Sequence, residues 1–233
     1  NRVIKELNIK DITICYGMTE TAPVSFQTHP SDSIIQKTQT VGRFILVVSQ
    51  GIDEKGETVP VGHPGEVLVR GETVMIGYWG DEEATKKSIV DGWMKTGDIG
   101  VLDEHGYCTI VGRVKDMIIR GGENIYPKEI EEYLRKMPGV HDVQVVGIPD
   151  PKYGEEAVAL IKLSEGSDMQ PNDVLAFCKN KIAHYKIPKF VKFVAGFPTT
   201  VTGKQQKFKM RDDLINEQKH HPERFHNYQI RHH

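Results

Sequence analysis

The chain has 233 residues, 38% of them hydrophobic and 27% charged, with 30 Lys and Arg against 32 Asp and Glu for a formal net charge of -2. That size suits one large or two modest globular domains, and the near-neutral balance gives no reason to expect nucleic acid or an acidic lipid surface as a partner. No apolar run approaches the length of a transmembrane helix.

The three cysteines, Cys15, Cys108 and Cys178, are odd in number and outside any CxxC pairing, which points to a reducing compartment and to packing roles. Asn1–Leu7 reads as the end of an amphipathic helix with no initiator Met and no signal or transit character, as if the sequence began mid-fold.

Asp11–Cys15 is a short apolar run expected to form a buried strand, and it leads into Tyr16-Gly17-Met18-Thr19-Glu20. In open α/β sheets ligands gather at the carboxyl ends of strands. Tyr16 suits stacking on a base, Thr19 a phosphate oxygen, and Glu20 a Mg²⁺ held together with phosphates. A polar turn after a core strand explains the same five residues equally well.

The next segment is β-rich. Val41–Val48, Gly65–Arg70, Met94–Thr96, Ile99–Leu102 and Tyr107–Val111 are predicted strands, with Asp103-Glu104-His105-Gly106 as a hairpin turn between the last two. Asp81–Ile89 interrupts them as a short helix capped by Asp81, acids first and lysines last. The mix predicts a small barrel or distorted sheet. Within it, Thr96-Gly97-Asp98 places a carboxylate after a strand and a glycine, a group able to accept both hydroxyls of a ribose. Taken alone, Asp98 is more often a turn residue.

The character changes along Gly112-Arg113-Val114-Lys115-Asp116 and Gly121-Gly122, where charge and a glycine pair suit a hinge that rotates and lies close to a ligand. Beyond it come a strand over Met117–Arg120, a helix opened by Pro127 and carrying Ile130, Leu134 and Met137 inward, and strands over Val143–Ile148 and Ala157–Leu163. A second helix is predicted over Pro171–Ile182 and a further strand over Val191–Val194. Pro198–Lys204 then forms a flexible loop presenting one lysine, able to deliver a point charge to a phosphate or carboxylate, ahead of a basic helical segment. The predicted parts are residues 1–113, a small domain over 114–219, and a disordered tail over 220–233 that holds five of the ten histidines without regular metal spacing.

Taken together, Tyr16–Glu20, Thr96–Asp98, Gly112–Asp116 with Gly121–Pro127, and Pro198–Lys204 resemble the adenylate-forming enzymes, the acyl-CoA synthetase and luciferase superfamily. Gly121-Gly-Glu-Asn-Ile-Tyr-Pro-Lys-Glu-Ile-Glu131 and His184-Tyr-Lys-Ile-Pro188 look most like its mitochondrial medium-chain fatty acid–CoA ligases. The resemblance implies an α/β and α+β protein: the C-terminal remainder of a large strand-rich domain with a small β-barrel, hinged to a small mobile α+β domain. It implies an AMP-forming ligase using ATP, Mg²⁺, CoA and a small-molecule carboxylic acid. Tyr16 would stack on adenine beside Gly17, Thr19 would touch phosphate, Glu20 would hold Mg²⁺, and Asp98 with Arg113 would hold the ribose. Lys115 would be the pivot, Lys204 would reach the carboxylate and α-phosphate, and Gly121 and Gly122 would line the pantetheine channel.

Two departures stand out. The family's phosphate loop should precede Tyr16 and nothing in the sequence matches it, so the polypeptide alone is expected not to adenylate. After Val41-Gly42-Arg43 the family usually continues with proline and a more polar strand, whereas Phe44-Ile-Leu-Val-Val48 stands in this sequence. Competing readings are a peptide synthetase activation domain, disfavoured because no carrier domain follows Lys204, an aryl- or cinnamoyl-CoA ligase, and a nucleotide-binding remnant that has lost catalysis.

Overall fold

A computed structural model describes residues 6–9, 11–45 and 48–230, with only the backbone of Val48. The chain divides into two compact units, Asn1–Val114 and Lys115–His233. Most of the helical start expected over Asn1–Leu7 lies outside the described residues, as do Leu46 and Val47 of the expected Val41–Val48 strand.

The first unit opens with a three-stranded antiparallel sheet in the order β1 (Cys15–Tyr16), β2 (Phe26–Gln27), β3 (Arg43–Phe44). Here the sequence reading needs correcting, because Asp11–Cys15 is not a buried strand: only Cys15 joins the sheet, on its edge, and both Ile14 and Cys15 are exposed. A strand paired on one side has no neighbour to cover its other edge. The packing role expected of all three cysteines therefore holds for two, with burial pushing the Cys108 thiol up to about 12 and that of Cys178 to about 11. Helix α1 (Ile34–Gln39) crosses between β2 and β3, capped by Ser33, whose hydroxyl accepts from the Gln36 amide.

A second, five-stranded antiparallel sheet runs β4 (Val48–Ile52), β5 (Pro64–Arg70), β7 (Trp93–Leu102), β6 (Ile89–Val90), with β8 (Cys108–Arg113) also on β7. Helix α2 (Glu82–Ser88) sits between β5 and β6, with the predicted Asp81 cap accepting from Ala84 N at 2.9 Å. The two predicted strands around Thr96 are one strand, β7, bent where its register shifts against β5 between Glu66 and Leu68 and against β8 between Ile99 and Gly100. This is the distorted sheet. Its apolar side gathers Val67, Val69 and Cys108 with Phe26 of the first sheet.

The second unit is built on β11 (Val140–Asp150) and β12 (Gly154–Leu163), an antiparallel pair. The other edge of β12 meets β13 (Phe190–Phe193) in parallel and the hairpin of β9 (Ile118–Arg120) with β10 (Glu123–Ile125) through Gly154 and Arg120. Both faces of the sheet are covered, so its strands read as apolar runs rather than alternations. Val143, Val145, Ala157, Ala159 and Ile161 face α3 (Pro127–Leu134) and α4 (Pro171–Cys178). Val146, Ile148, Val158 and Leu160 face α5 (Lys207–His220) through Met210 and Leu214, and α6 (Pro222–His226) through Phe225.

That last contact corrects the expectation of a disordered tail over 220–233. Phe225 and Ile230 are buried, Phe225 stacks on Phe190 with ring centroids 4.7 Å apart, and Ile230 N donates to Lys189 O at 2.9 Å. Histidine-rich composition masked two apolar anchors; residues 231–233 lie outside the described part. Helices α3 and α4 also end earlier than predicted, at Leu134 and Cys178, although Met137 and Ile182 still pack on the core as the chain leaves them.

Candidate active site

In the first unit the structure joins three residues that the sequence separates widely. Tyr16 Oη donates to Asp98 Oδ2 at 2.7 Å, and Arg113 Nε donates to Asp98 Oδ1 at 3.1 Å. The fold explains the meeting. Asp98 and Arg113 are direct cross-strand partners on β7 and β8, and a bulge of one residue in β8 puts Arg113, rather than Gly112, opposite Asp98. Gly97, at φ +71°, provides the left-handed step before Asp98. Thr96 Oγ1 ties that step down, donating to Val67 O at 2.7 Å and accepting from Asp98 N at 3.2 Å.

Burial, reinforced by the neighbouring Asp98 carboxylate, pushes the Tyr16 phenol well above the usual tyrosine range, so it stays a proton donor at any physiological pH. Its ring stands edge-on to Phe26, with centroids 5.8 Å apart. Each Asp98 oxygen already accepts one hydrogen bond and keeps a second lone pair. The carboxylate, only 18% exposed, is thus aimed and half-saturated, able to take two further donors set side by side such as the hydroxyls of a ribose.

Gly17 has a steric reason to be glycine, because a Cβ there would lie 1.9 Å from Pro23 O. The chain turns back so closely that Ser25 N donates to Tyr16 O at 2.8 Å. In the single 3-10 turn Thr19–Thr21, Thr21 is the buried hydroxyl, accepting from Ser25 Oγ at 2.9 Å, and Thr19 is exposed. Glu20 Oε1 accepts from Tyr78 Oη at 2.9 Å, and Glu20 O accepts from Met75 N at 2.9 Å. Tyr78 was missed in the sequence; only its place between Gly77 and Trp79 in an aromatic turn could have pointed to it.

The remaining sequence candidates belong to the second unit. Lys115 is exposed in a 3-10 turn, Val114–Asp116, at the boundary between units. Gly121 and Gly122 form the two-residue tip of the β9–β10 hairpin, with φ +59° and +87°, the pair of positive values that a type I′ turn demands. Expecting this pair to lend rotation to a hinge is therefore corrected: it closes a hairpin inside the second unit. Nothing lies within 4 Å of a Cβ placed on Gly122.

The Lys204 loop, expected to be flexible, is a closed turn. Thr199 bridges Gln205, Thr200 N donates to Lys204 O at 2.8 Å, and Lys204 N donates to Thr200 Oγ1 at 3.1 Å. The Lys204 side chain is exposed.

Comparison with known proteins shows the family of the chain. A model of the AMP-binding enzyme family matches residues 1–79, and one of the AMP-binding enzyme C-terminal domain matches residues 129–204. The chain belongs to the adenylate-forming enzymes. Among this family's curated members it is 52% identical over 216 residues to "Putative acyl-CoA synthetase YngI" of Bacillus subtilis (strain 168), covering 91% of this chain and 39% of that protein. It is 46% identical over 215 residues to the mitochondrial medium-chain acyl-CoA ligase of Bos taurus, covering 91% and 35%.

Solved adenylate-forming structures agree. MatB of Rhodopseudomonas palustris with ATP bound matches at TM-score 0.82 and 35% identity over 88% of this chain and 41% of that one. The o-succinylbenzoate CoA synthetase of Bacillus subtilis with its acyl-adenylate intermediate matches at 0.79 and 31%, over 90% and 42%. The chain thus spans about two fifths of its adenylate-forming relatives.

Proposed function

We propose that this chain carries the adenosine-binding and lysine-bearing parts of an AMP-forming acid–thiol ligase, which activates a medium-chain fatty acid with ATP and passes the acyl group to CoA. The observation that carries the reading is the Tyr16–Asp98–Arg113 cluster, a half-saturated carboxylate suited to a ribose and flanked by an aromatic ring. The 46% identity to a relative named for a medium-chain acyl substrate supports the fatty acyl reading. A mitochondrial location belongs to the bovine relative by name, and for this chain it is a proposal resting on resemblance.

The chemistry assigns the groups. In the first step a carboxylate oxygen bonds to the α-phosphorus of ATP and pyrophosphate leaves; two anions must approach, and Lys204 offsets their repulsion. Thr19 reaches a phosphate oxygen. In the second step the CoA thiol attacks the acyl carbonyl and AMP leaves, and a cationic side chain is no longer needed. Lys115 is the pivot in this reading, so that one unit presents Lys204 for the first step and the bare Gly121–Gly122 tip for the second.

Mg²⁺ bound with a triphosphate needs only one or two carboxylates besides phosphate oxygens and waters. Among the described residues no three His, Cys, Asp or Glu gather as an all-protein cage, and Glu20 fits the simpler demand. When bound, the ion supplies charge neutralisation on the phosphates. Also among the described residues, no helix is long and apolar enough to cross a membrane.

Two measurements test the proposal. Titrating AMP into the purified chain by calorimetry should show binding that Asp98→Ala weakens roughly 10- to 100-fold, the scale of a hydrogen bond to a charged group. Unchanged affinity in that variant would refute the ribose assignment. The 233 residues hold no match to the family's phosphate loop, and on their own they are expected to give no ATP–pyrophosphate exchange with any fatty acid.

A further inference from the structure

Beneath the Lys204 loop lies a partly buried polar network, centred on the buried Glu131, that the proposed chemistry does not use. Lys207, the first residue of α5, turns its amine inward, to Glu131 Oε1 at 2.5 Å and Val145 O at 3.1 Å. Glu131, 5% exposed on α3, also accepts from Val145 N at 2.8 Å. Gln205 Nε2 donates to Asp142 Oδ2 at 3.0 Å. Arg135 links the two carboxylates, lying 3.8 Å from Glu131 Oε2 and donating to Asp142 Oδ1 at 3.1 Å.

Lys204 is thus followed at the first and third positions by residues tied to fixed acids of α3 and β11. Its loop is closed from the other side, where Gln206 N donates to Pro198 O at 2.9 Å. Two charges are largely withdrawn from water here, and burying a charge is costly unless partners and hydrogen bonds satisfy it. An exposed loop with no task would not need such an anchor.

We infer that Glu131 and Lys207, with Asp142 and Gln205, form a latch that fixes the loop and so sets where the Lys204 amine is presented; they are positioning residues. The inference rests on the proposed role of Lys204 only for its catalytic consequence, since the latch itself is a property of the second unit. Orientation within about an ångström is worth about 100-fold in rate for a group that must meet a reacting atom. The latch therefore tunes the adenylating step without touching substrate.

Two experiments test this. In the 233-residue chain, Lys207→Met leaves Glu131 without its close cation and should quicken amide hydrogen exchange throughout the second unit, so the latch is read as an excess. Thr200 and Gln206 should speed at least tenfold more than Val158–Ile161 in β12, and Lys207→Arg should bring them back to within about threefold. No change at Thr200 and Gln206, or an equal rise through β12, would overturn the latch.

In the full-length enzyme, Lys207→Met should lower kcat for adenylation about tenfold with KM for ATP within twofold, and should add nothing in a Lys204→Ala background. Losses that multiply would show that Lys207 does not act through Lys204 and would overturn the positioning role. If Lys204→Ala alone leaves adenylation unchanged, the functional reading of Lys204 fails while the exchange result still decides the latch.

Discussion

Replacing Lys204 with alanine in the full-length enzyme is expected to slow acyl-adenylate formation roughly 10²- to 10³-fold, the scale of losing one preorganised electrostatic group. The thioester half-reaction, started from supplied acyl-adenylate, should fall by no more than about threefold. The asymmetry follows from charge: the first step brings together two anions, whereas the second begins from an adenylate already formed. Single-turnover measurements of each half-reaction separate the two. Equal losses would mean that Lys204 supports the fold or both steps alike, and the closed turn around it makes the first explanation checkable by hydrogen exchange at Thr200.

Arg120→Ala is expected to destabilise the second unit by about 3 to 5 kcal/mol, the cost of stripping one partner from a buried ion pair. Arg120 Nε donates to Glu156 Oε2 at 2.7 Å, and the guanidinium lies 4.2 Å from the centre of the Tyr153 ring. Glu156 is 1% exposed, its Oε1 has no hydrogen-bond partner among the described residues, and the Lys189 amine stands 3.7 Å from that oxygen. Without Arg120 the carboxylate keeps a single distant cation. Replacing both Arg120 and Glu156 by methionine should recover most of the loss, because no charge is then stranded. Both tryptophans, Trp79 and Trp93, lie in the first unit, so their fluorescence reports that unit and should not move. Exchange of β12 amides, expected to quicken by roughly 10²-fold or more, reports the second.

Much of the architecture was legible because its causes are local. The Asp81 cap, the Asp103–Gly106 turn and the proline opening α3 each act within a few residues and fall where expected. The apolar runs of β11 and β12 showed because both faces of that sheet are covered. What escaped depends on partners far along the chain. Ile14 and Cys15 looked like core until pairing left them on an edge, and Phe225 looked like tail until it met Phe190.

The candidate site divides the same way. Tyr16, Asp98 and Arg113 could each be named from sequence motifs, but not their contact. Counting back from the predicted hairpin turn brings Gly112 opposite Asp98, and only the one-residue bulge in β8, invisible to pattern, substitutes Arg113. Tyr78 and Lys207 carried no motif, and Glu131 stood only at the end of the Gly121–Glu131 motif; their contacts arise from proximity in space.

The hairpin tip at Gly121 and Gly122 has a consequence for engineering. Two separate requirements, a backbone that must bend the mirror-image way and, in the proposed second step, a passage left open for the cofactor arm, would fall on the same pair, so the presence of glycine cannot tell them apart. Asparagine tolerates the bend yet carries an amide side chain. Gly122, at φ +87°, resists any side chain, whereas Gly121, at φ +59°, lies where asparagine is tolerated. Writing asparagine at Gly121, with its Cβ 3.3 Å from Tyr153 Cδ1, tests whether a side chain at the tip hinders the proposed thiol step.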